Sequence, residues 1–222
     1  MHGKLIVLEG IDGSGKSTQY KRLCARLSAE GREFKSIVFP RYDQPSSALI
    51  REYLAGDYGS RPGDVNAYAA SAFYAVDRFA SFKTDWQEYY ENGGLVLADR
   101  YTTSNACHQG SKLPAGERQE FLDWLYDFEF GRLGLPRPEL VVYLDVDLEI
   151  SRRRMTERQR LTDTSADIHE KDFNYLAACL DAGRHACEHY GWTRILCEEN
   201  GEMRGVESIH EQIYAAVMEH TK

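Results

Sequence analysis

Five short runs of aliphatic and β-branched residues punctuate the chain, at Leu5–Leu8, Ser36–Phe39, Leu95–Ala98, Leu140–Leu144 and Thr193–Cys197. Each has the length of a strand. Between them apolar residues recur at helical spacing over Lys16–Glu30, Ser46–Leu54, Val65–Tyr90, Gly116–Gly131, Leu148–Met155, Asp172–Tyr190 and Val206–Glu219, with Gly31 and Gly191 as stops. Strands alternating with helices predict an α/β fold whose five-stranded parallel sheet is covered by helices on both faces. Ligands of such sheets sit at the carboxyl ends of the strands, which directs attention to the residues after Leu8, Phe39, Ala98 and Leu144. Asp64, which follows a stretch containing Gly56, Gly59, Pro62 and Gly63, is the expected cap of the longest helix. The polar stretch Glu157–Ala166 lacks apolar periodicity and predicts a loop or mobile lid, about residues 157–170, within a single domain spanning residues 1–222.

A chain of 222 residues is long enough for one substantial core, and its composition is that of a folded globular protein rather than a disordered or fibrous one. Its 27 basic and 35 acidic residues leave a formal charge of −8. That balance disfavours a general nucleic-acid binder, so no nucleic-acid partner is expected and any phosphate site must be local. No apolar run reaches the roughly 18 residues of a membrane span, and Leu5–Leu8 is too short for a signal-peptide core, so no membrane partner and a cytoplasmic location are expected. The five cysteines are scattered without a C-x-x-C pair and read as free thiols.

Chemistry enters at Gly10-Ile11-Asp12-Gly13-Ser14-Gly15-Lys16-Ser17, which fits G-x-x-x-x-G-K-[ST] between a strand pattern and a helix pattern. The glycines let backbone N–H groups wrap an anion, the helix N-terminus adds positive potential, Lys16 reaches the outer phosphates and Ser17 is a magnesium ligand. Such a loop binds a nucleoside triphosphate without choosing among GTPase, ATPase and kinase. No guanine-reading N-K-x-D follows, and the third strand ends in Asp99-Arg100 rather than in paired acids. Asp99 suits the magnesium hydration shell while Arg100 is available to grip a second phosphate, which points to transfer between two phosphorylated substrates. Tyr74 and Arg78 lie four apart on one predicted helix face, a stacking plane beside a donor fork, although the same pair also suits a core tyrosine next to a surface arginine.

Taken together, GIDGSGKSTQ, FPRY (Phe39–Tyr42), YAVDR (Tyr74–Arg78), DRYTTSNACHQG (Asp99–Gly110), YLDVD (Tyr143–Asp147) and DIHEKD (Asp167–Asp172) resemble the thymidylate kinase family from end to end. The resemblance implies a P-loop NTPase fold with strand order 2-3-1-4-5, a short lid and a homodimer packed through long helices. It implies phosphorylation of dTMP to dTDP by ATP with Mg2+, in dTTP synthesis. It makes Asp12 the loop carboxylate near the acceptor, Arg41 and Arg100 grips on the dTMP phosphate, and Phe39 part of the nucleoside wall with Tyr42 beside it. Tyr74 matches the aromatic that stacks on thymine, Arg78 the arginine that hydrogen-bonds the base, and Ser104 and Asn105 polar groups at the base edge. ATP falls to Gly10, Gly13, Ser14, Gly15, Lys16, Ser17 and Thr18, with Arg154 resembling a residue that packs on adenine. Magnesium falls to Ser17, Asp99 and, from the lid side, Glu170.

Some family members place an arginine inside the P-loop, where this chain has Gly13; Arg158 and Arg160 look like the lid arginines of the other type, acting on the transferring phosphoryl group. His108 replaces a common tyrosine or phenylalanine on the face expected to sense the ribose 2′-position, and His169 is a similar departure. Asp167 and Glu170 are equally compatible with a helix-capping pair. Arg78 only donates hydrogen bonds, so it suits thymine O4 and opposes the N4 amino group of cytosine. A broader pyrimidine deoxynucleotide or deoxynucleoside kinase is the alternative; the latter needs a carboxylate base after the second strand, where Arg41 stands. A nucleotide-gated binding module without transfer is disfavoured by the two separate phosphate grips.

Overall fold

The apolar runs become strands of one sheet in the computed structural model, which describes residues 2–162, 168–169 and 173–221. They are β1 (Lys4–Glu9), β2 (Lys35–Val38), β3 (Leu95–Asp99), β4 (Leu140–Asp145) and β5 (Thr193–Leu196), all parallel in the order β2-β3-β1-β4-β5. Side chains alternate across β1, so Leu5 and Val7 enter one core with Val96, Trp86 and Phe121, while Ile6 and Leu8 enter a second with Leu23, Leu27, Val142 and Ile213. Burial on both faces explains why these strands read as continuous apolar runs.

The helices are α1 (Lys16–Ala29), α2 (Ala48–Ala55), α3 (Ala67–Ser81), α4 (Gln87–Glu91), α5 (Thr102–His108), α6 (Arg118–Tyr126), α7 (Leu148–Thr162), α8 (Phe173–Tyr190) and α9 (Val206–His220). The helix expected over Val65–Tyr90 is divided: a π-helical turn at Phe82–Trp86 joins α3 to α4. Phe82, Trp86 and Tyr90 are all buried, with Phe82 edge-on to Trp86 at 4.7 Å. Asp64 does not cap α3. It belongs to a 3-10 turn and accepts from the Arg61 amide at 3.0 Å, while the side chain of Asn66 accepts from the Ala69 amide at 2.8 Å and caps the helix.

The expected lid also changes. Residues 157–162 continue α7 as helix, because Glu, Arg and Gln are good helix formers that need no apolar stripe when the turn is exposed to water. The rest of that segment, apart from the buried Ile168 and His169, lies outside the described residues. A hairpin unforeseen in the apolar pattern pairs β6 (Glu198–Glu199) with β7 (Glu202–Met203) around Asn200 and Gly201, both at positive φ, the residues a type I′ turn prefers.

Helix α8 approaches β4 so closely that a Cβ on Gly183 would run into the Tyr143 ring. Gly183→Ala should therefore destabilise the fold by about 1–3 kcal/mol through overpacking, despite alanine's helix preference of about 1 kcal/mol. The check is the urea midpoint; an unchanged or raised midpoint would contradict the close packing.

Candidate active site

The turn from β1 into α1 runs along the carboxyl edge of the sheet, with Gly13 and Gly15 at φ 78° and 86°, a region closed to most side chains. Gly13 has a second reason to be glycine, since a Cβ there would overlap the Ser151 carbonyl of α7. The same helix holds the loop from above: Ser151 Oγ donates to the Asp12 carbonyl at 2.6 Å and Arg154 Nε to the Gly13 carbonyl at 3.1 Å. A loop arginine at position 13 is thus excluded by packing. Arg154, expected on adenine, stands on the cavity wall, where its Nε buttresses the loop.

At the start of α1, Lys16 is buried and donates to Asp99 Oδ1 at 2.7 Å, while Ser17 Oγ donates to Asp99 Oδ2 at 3.2 Å. Burial and the nearby Arg100 lower the Lys16 ammonium, and Asp99 and Glu9 oppose that shift. Ser17 and Asp99 present hard oxygens to the cavity. Magnesium takes one or two protein oxygens plus waters and substrate phosphates, so this pair fits it although the described residues contain no cluster of three His, Cys, Asp or Glu ligands. Glu170 lies outside the described residues.

Arg100 follows β3 at φ 69°, the left-handed region where a non-glycine residue is uncommon and strained. Its amide donates to the Leu8 carbonyl at 3.1 Å, continuing the β1–β3 ladder, and its guanidinium meets Asp12 at 2.5 Å, Glu9 at 3.6 Å and His108 Nε2 at 3.2 Å. Burial alone would raise the Asp12 carboxyl, but Arg100, with Lys16, pulls it far below the usual carboxylate range. Burial opposes the Arg100 charge, and Asp12, Glu9 and Asp99 overcome it. Glu9 is wholly buried and also accepts from the Gly10 amide, Thr103 and Ser104 at 2.7–2.9 Å. Because Arg100 has only donors, His108 Nε2 must accept, which fixes the neutral imidazole. Burial and Arg100 push its pKa down to about 4.

One cavity of about 530 Å3 gathers these groups. Asp12 to Thr18 form one side, and Phe39, Tyr42, Tyr74, Arg78, Ser104, Asn105 and His108 form the other, with Arg154 and Arg158 at the α7 wall. Tyr74 and Arg78 share one face of α3 as their spacing required. Three expected residues stand elsewhere. Gly10 is the tight turn beneath the loop rather than part of the cavity wall, and Arg160 is exposed off the cavity. Arg41 turns onto the wholly buried Asp77, with Nε at 3.2 Å from Oδ1 and Nη2 at 3.1 Å from Ser46 Oγ, because a carboxylate at that depth requires a cation. Tyr42, its neighbour, faces the cavity instead.

Sequence reasoning passed over Glu9, Ser151 and Glu129. Glu9 had a signal, a charge closing an otherwise apolar strand; Ser151 had none, since its role depends on how α7 crosses the loop.

Two phosphate-seeking cations, Lys16 and Arg100, opening on one cavity at the edge of a parallel sheet suit the passage of a phosphoryl group from one nucleotide to another, which is the work of P-loop phosphotransferases. Residues 8–186 match the thymidylate kinase family model, and the chain belongs to that family. It is 35% identical over 170 residues to thymidylate kinase of Mycobacterium tuberculosis, covering 76% of this chain and 78% of the relative. It is 30% identical over 220 residues to a probable thymidylate kinase of Pyrococcus abyssi, covering 98% and 97%. The fold also matches the solved thymidylate kinase of Candida albicans with a TM-score of 0.70 over 98% of this chain and 92% of that one, at 21% identity. The reaction is phosphorylation of dTMP to dTDP by ATP with Mg2+, in dTTP synthesis.

His108 makes the stability of the site depend on pH. Its folded pKa of about 4 lies below the usual 6.5, so between these values the unfolded chain binds more protons and stability falls as pH falls. His108→Gln should flatten that acid limb, read as the slope of unfolding free energy between pH 6.5 and 4.5; an unaltered slope would place the buried neutral imidazole elsewhere.

Proposed function

We propose that Arg100 holds the dTMP phosphate while thymine lies against Tyr74 and Phe39, with Arg78, Ser104 and Asn105 at its polar edge. The observation that carries this reading is Arg100 itself, held at a strained φ of 69° between Glu9 and Asp12 and opening on the same cavity as Lys16. Donor phosphates then belong to the loop from Gly13 to Thr18, the pre-formed backbone cradle at the α1 N-terminus. A dTMP phosphate has a second pKa of about 6, so its oxygen is already a nucleophile at neutral pH and no protein base is needed. That oxygen attacks the γ-phosphorus, the bond to the β-bridging oxygen breaks, and ADP leaves. Asp12, kept ionised by Arg100, orients this guanidinium rather than transferring a proton.

Lys16 compensates charge shared by the β- and γ-phosphates as the bond loosens. Ser17 and Asp99 are the residues that would hold magnesium, which when bound neutralises charge on the β- and γ-oxygens. Arg158, on the cavity wall, is the α7 arginine suited to the transferring group; Arg160 is not, and Arg41 supports the loop that presents Tyr42. We also take the protein to be a cytoplasmic homodimer with no nucleic-acid partner. The half-buried Ala72 with the exposed Val76 and Phe79 gives α3 an apolar outer face at i, i+4, i+7 spacing, and all five cysteines are free.

Lys16→Ala should lower kcat by about 10²–10³, the usual effect of deleting one charge-stabilising donor. Near-normal turnover in a coupled ADP assay would rule out the role given to the loop. Arg158→Ala should depress kcat with the KM for dTMP nearly unchanged, since it acts on charge that develops in transfer. A rise in that KM alone would move Arg158 to acceptor binding.

A further inference from the structure

Glu129 is a wholly buried carboxylate with no part in the phosphate chemistry. It lies in a π-helical turn, Asp127–Arg132, that follows α6, and it is more deeply buried than the aromatic residues Phe128 and Phe130 on either side. An acid buried more deeply than its aromatic neighbours inverts the usual order and asks for a reason. Its partners supply one. Arg78 Nε donates to Oε2 at 2.7 Å and Nη2 to Oε1 at 2.5 Å, a two-pronged pair; Thr102 Oγ1 donates to Oε2 at 2.7 Å and Asn105 Nδ2 to Oε1 at 3.3 Å. Two of these partners, Arg78 and Asn105, line the nucleotide cavity.

Asn105 Nδ2 also donates to the Ser71 carbonyl at 3.2 Å, so both acceptors facing the amide demand its NH2 end. The Oδ1 end is left as an acceptor that receives no bond among the described residues. Arg78 Nη1 donates to the Tyr101 carbonyl at 3.3 Å, and with Nε and Nη2 committed to Glu129 the guanidinium is fixed in plane with its remaining N–H groups as donors. The cavity thus offers an acceptor beside a donor. Thymine carries the complementary pair, an N3–H donor beside the O4 acceptor, whereas cytosine carries N3 as acceptor and N4 as donor and opposes both.

We propose that Glu129 is a positioning residue for base selection: one buried carboxylate helps set which end of the Asn105 amide faces the cavity and fixes the orientation of the Arg78 donors, and so makes the pocket read thymine rather than cytosine. The inference rests on the reading that the base lies against Tyr74 and Arg78. Replacing Oε1 by an amide NH2 removes one of the two acceptors that select the Asn105 NH2 end, so that the Ser71 carbonyl alone holds it against a new donor favouring the turned amide, and it takes one oxygen from the two-pronged hold on Arg78.

The test is Glu129→Gln, with kcat and KM measured for dTMP, dCMP and ATP beside Glu129→Asp and Arg78→Ala. The expected result is a tenfold or larger rise in the KM for dTMP, an unchanged KM for ATP, and a dTMP-to-dCMP ratio of kcat/KM narrowed at least tenfold. Glu129→Asp keeps the charge but withdraws both acceptor oxygens by one methylene from Arg78 and Asn105, so it should narrow the ratio by a smaller factor than Glu129→Gln. Equal losses for dTMP and dCMP, or an unchanged ratio, would overturn the proposal and leave Glu129 a structural counter-ion. Where Glu129→Gln does not fold, Glu129→Asp decides: a raised KM for dTMP with a narrowed ratio supports the proposal, and an unchanged ratio overturns it. If Arg78→Ala also leaves base preference unchanged, the placement of the base fails as well. A changed preference in Arg78→Ala with none in the Glu129 variants confines the failure to Glu129.

Discussion

Charge placed at the carboxyl edge of a buried sheet must be matched there, and the rest of the site depends on that constraint. Glu9 and Asp99, at the ends of strands with apolar interiors, and Asp12 of the loop face Lys16 and Arg100 within a few ångströms. Removing one member of such a buried pair typically costs about 3–5 kcal/mol because its partner is left uncompensated. The carboxylates therefore act before any substrate arrives. They oppose the burial that lowers the Lys16 ammonium and outweigh the burial that disfavours the Arg100 charge, and they hold both cations aimed at one cavity. Preorganisation of this kind lets a site stabilise developing phosphate charge without reorganising during transfer.

Two further elements carry that arrangement outward. Helix α7 lies on the phosphate loop through Ser151 and Arg154, so the position that holds an arginine in some relatives is closed by contact, and Arg158 one turn further on the same helix reaches the cavity. On the acceptor side α3, α5 and the π-helical turn after α6 meet at Glu129. Donor half and acceptor half are each anchored by a buried acid whose partners come from distant parts of the chain.

The fold was legible in the sequence because its strands are buried on both faces, and the phosphate loop because glycine spacing has a local cause. Parallel register and strand order required either family resemblance or the structure. Helix boundaries failed where local signals compete: Asp64 and Asn66 are both good caps two residues apart, and only packing selects Asn66. The exposed end of α7 has no apolar stripe and so read as a loop. Of the residues that line the cavity, Lys16, Ser17, Asp99 and Arg100 were singled out by motif, Tyr74 and Arg78 also by their spacing, and Asn105 only by the family resemblance. The pairing of Arg41 with Asp77 was not legible because the two lie 36 residues apart, on a loop and a helix that no local pattern brings together. Glu129 escaped for the same reason, since an acid between two aromatics carries no sign of the arginine it meets 51 residues away.

On the proposed function, Arg100, preset by Glu9 and Asp12, makes this cavity a receptor for an acceptor that already bears a phosphate. The most direct measurement is a coupled ADP-release assay comparing dTMP with thymidine at matched concentrations in excess ATP and magnesium. The account predicts rapid turnover of dTMP and none of thymidine above the ATP-hydrolysis background, because the nucleoside offers no phosphate to Arg100 and its 5′-hydroxyl finds no carboxylate base in the cavity free of a cation. Phosphorylation of thymidine at a rate comparable to dTMP would contradict it.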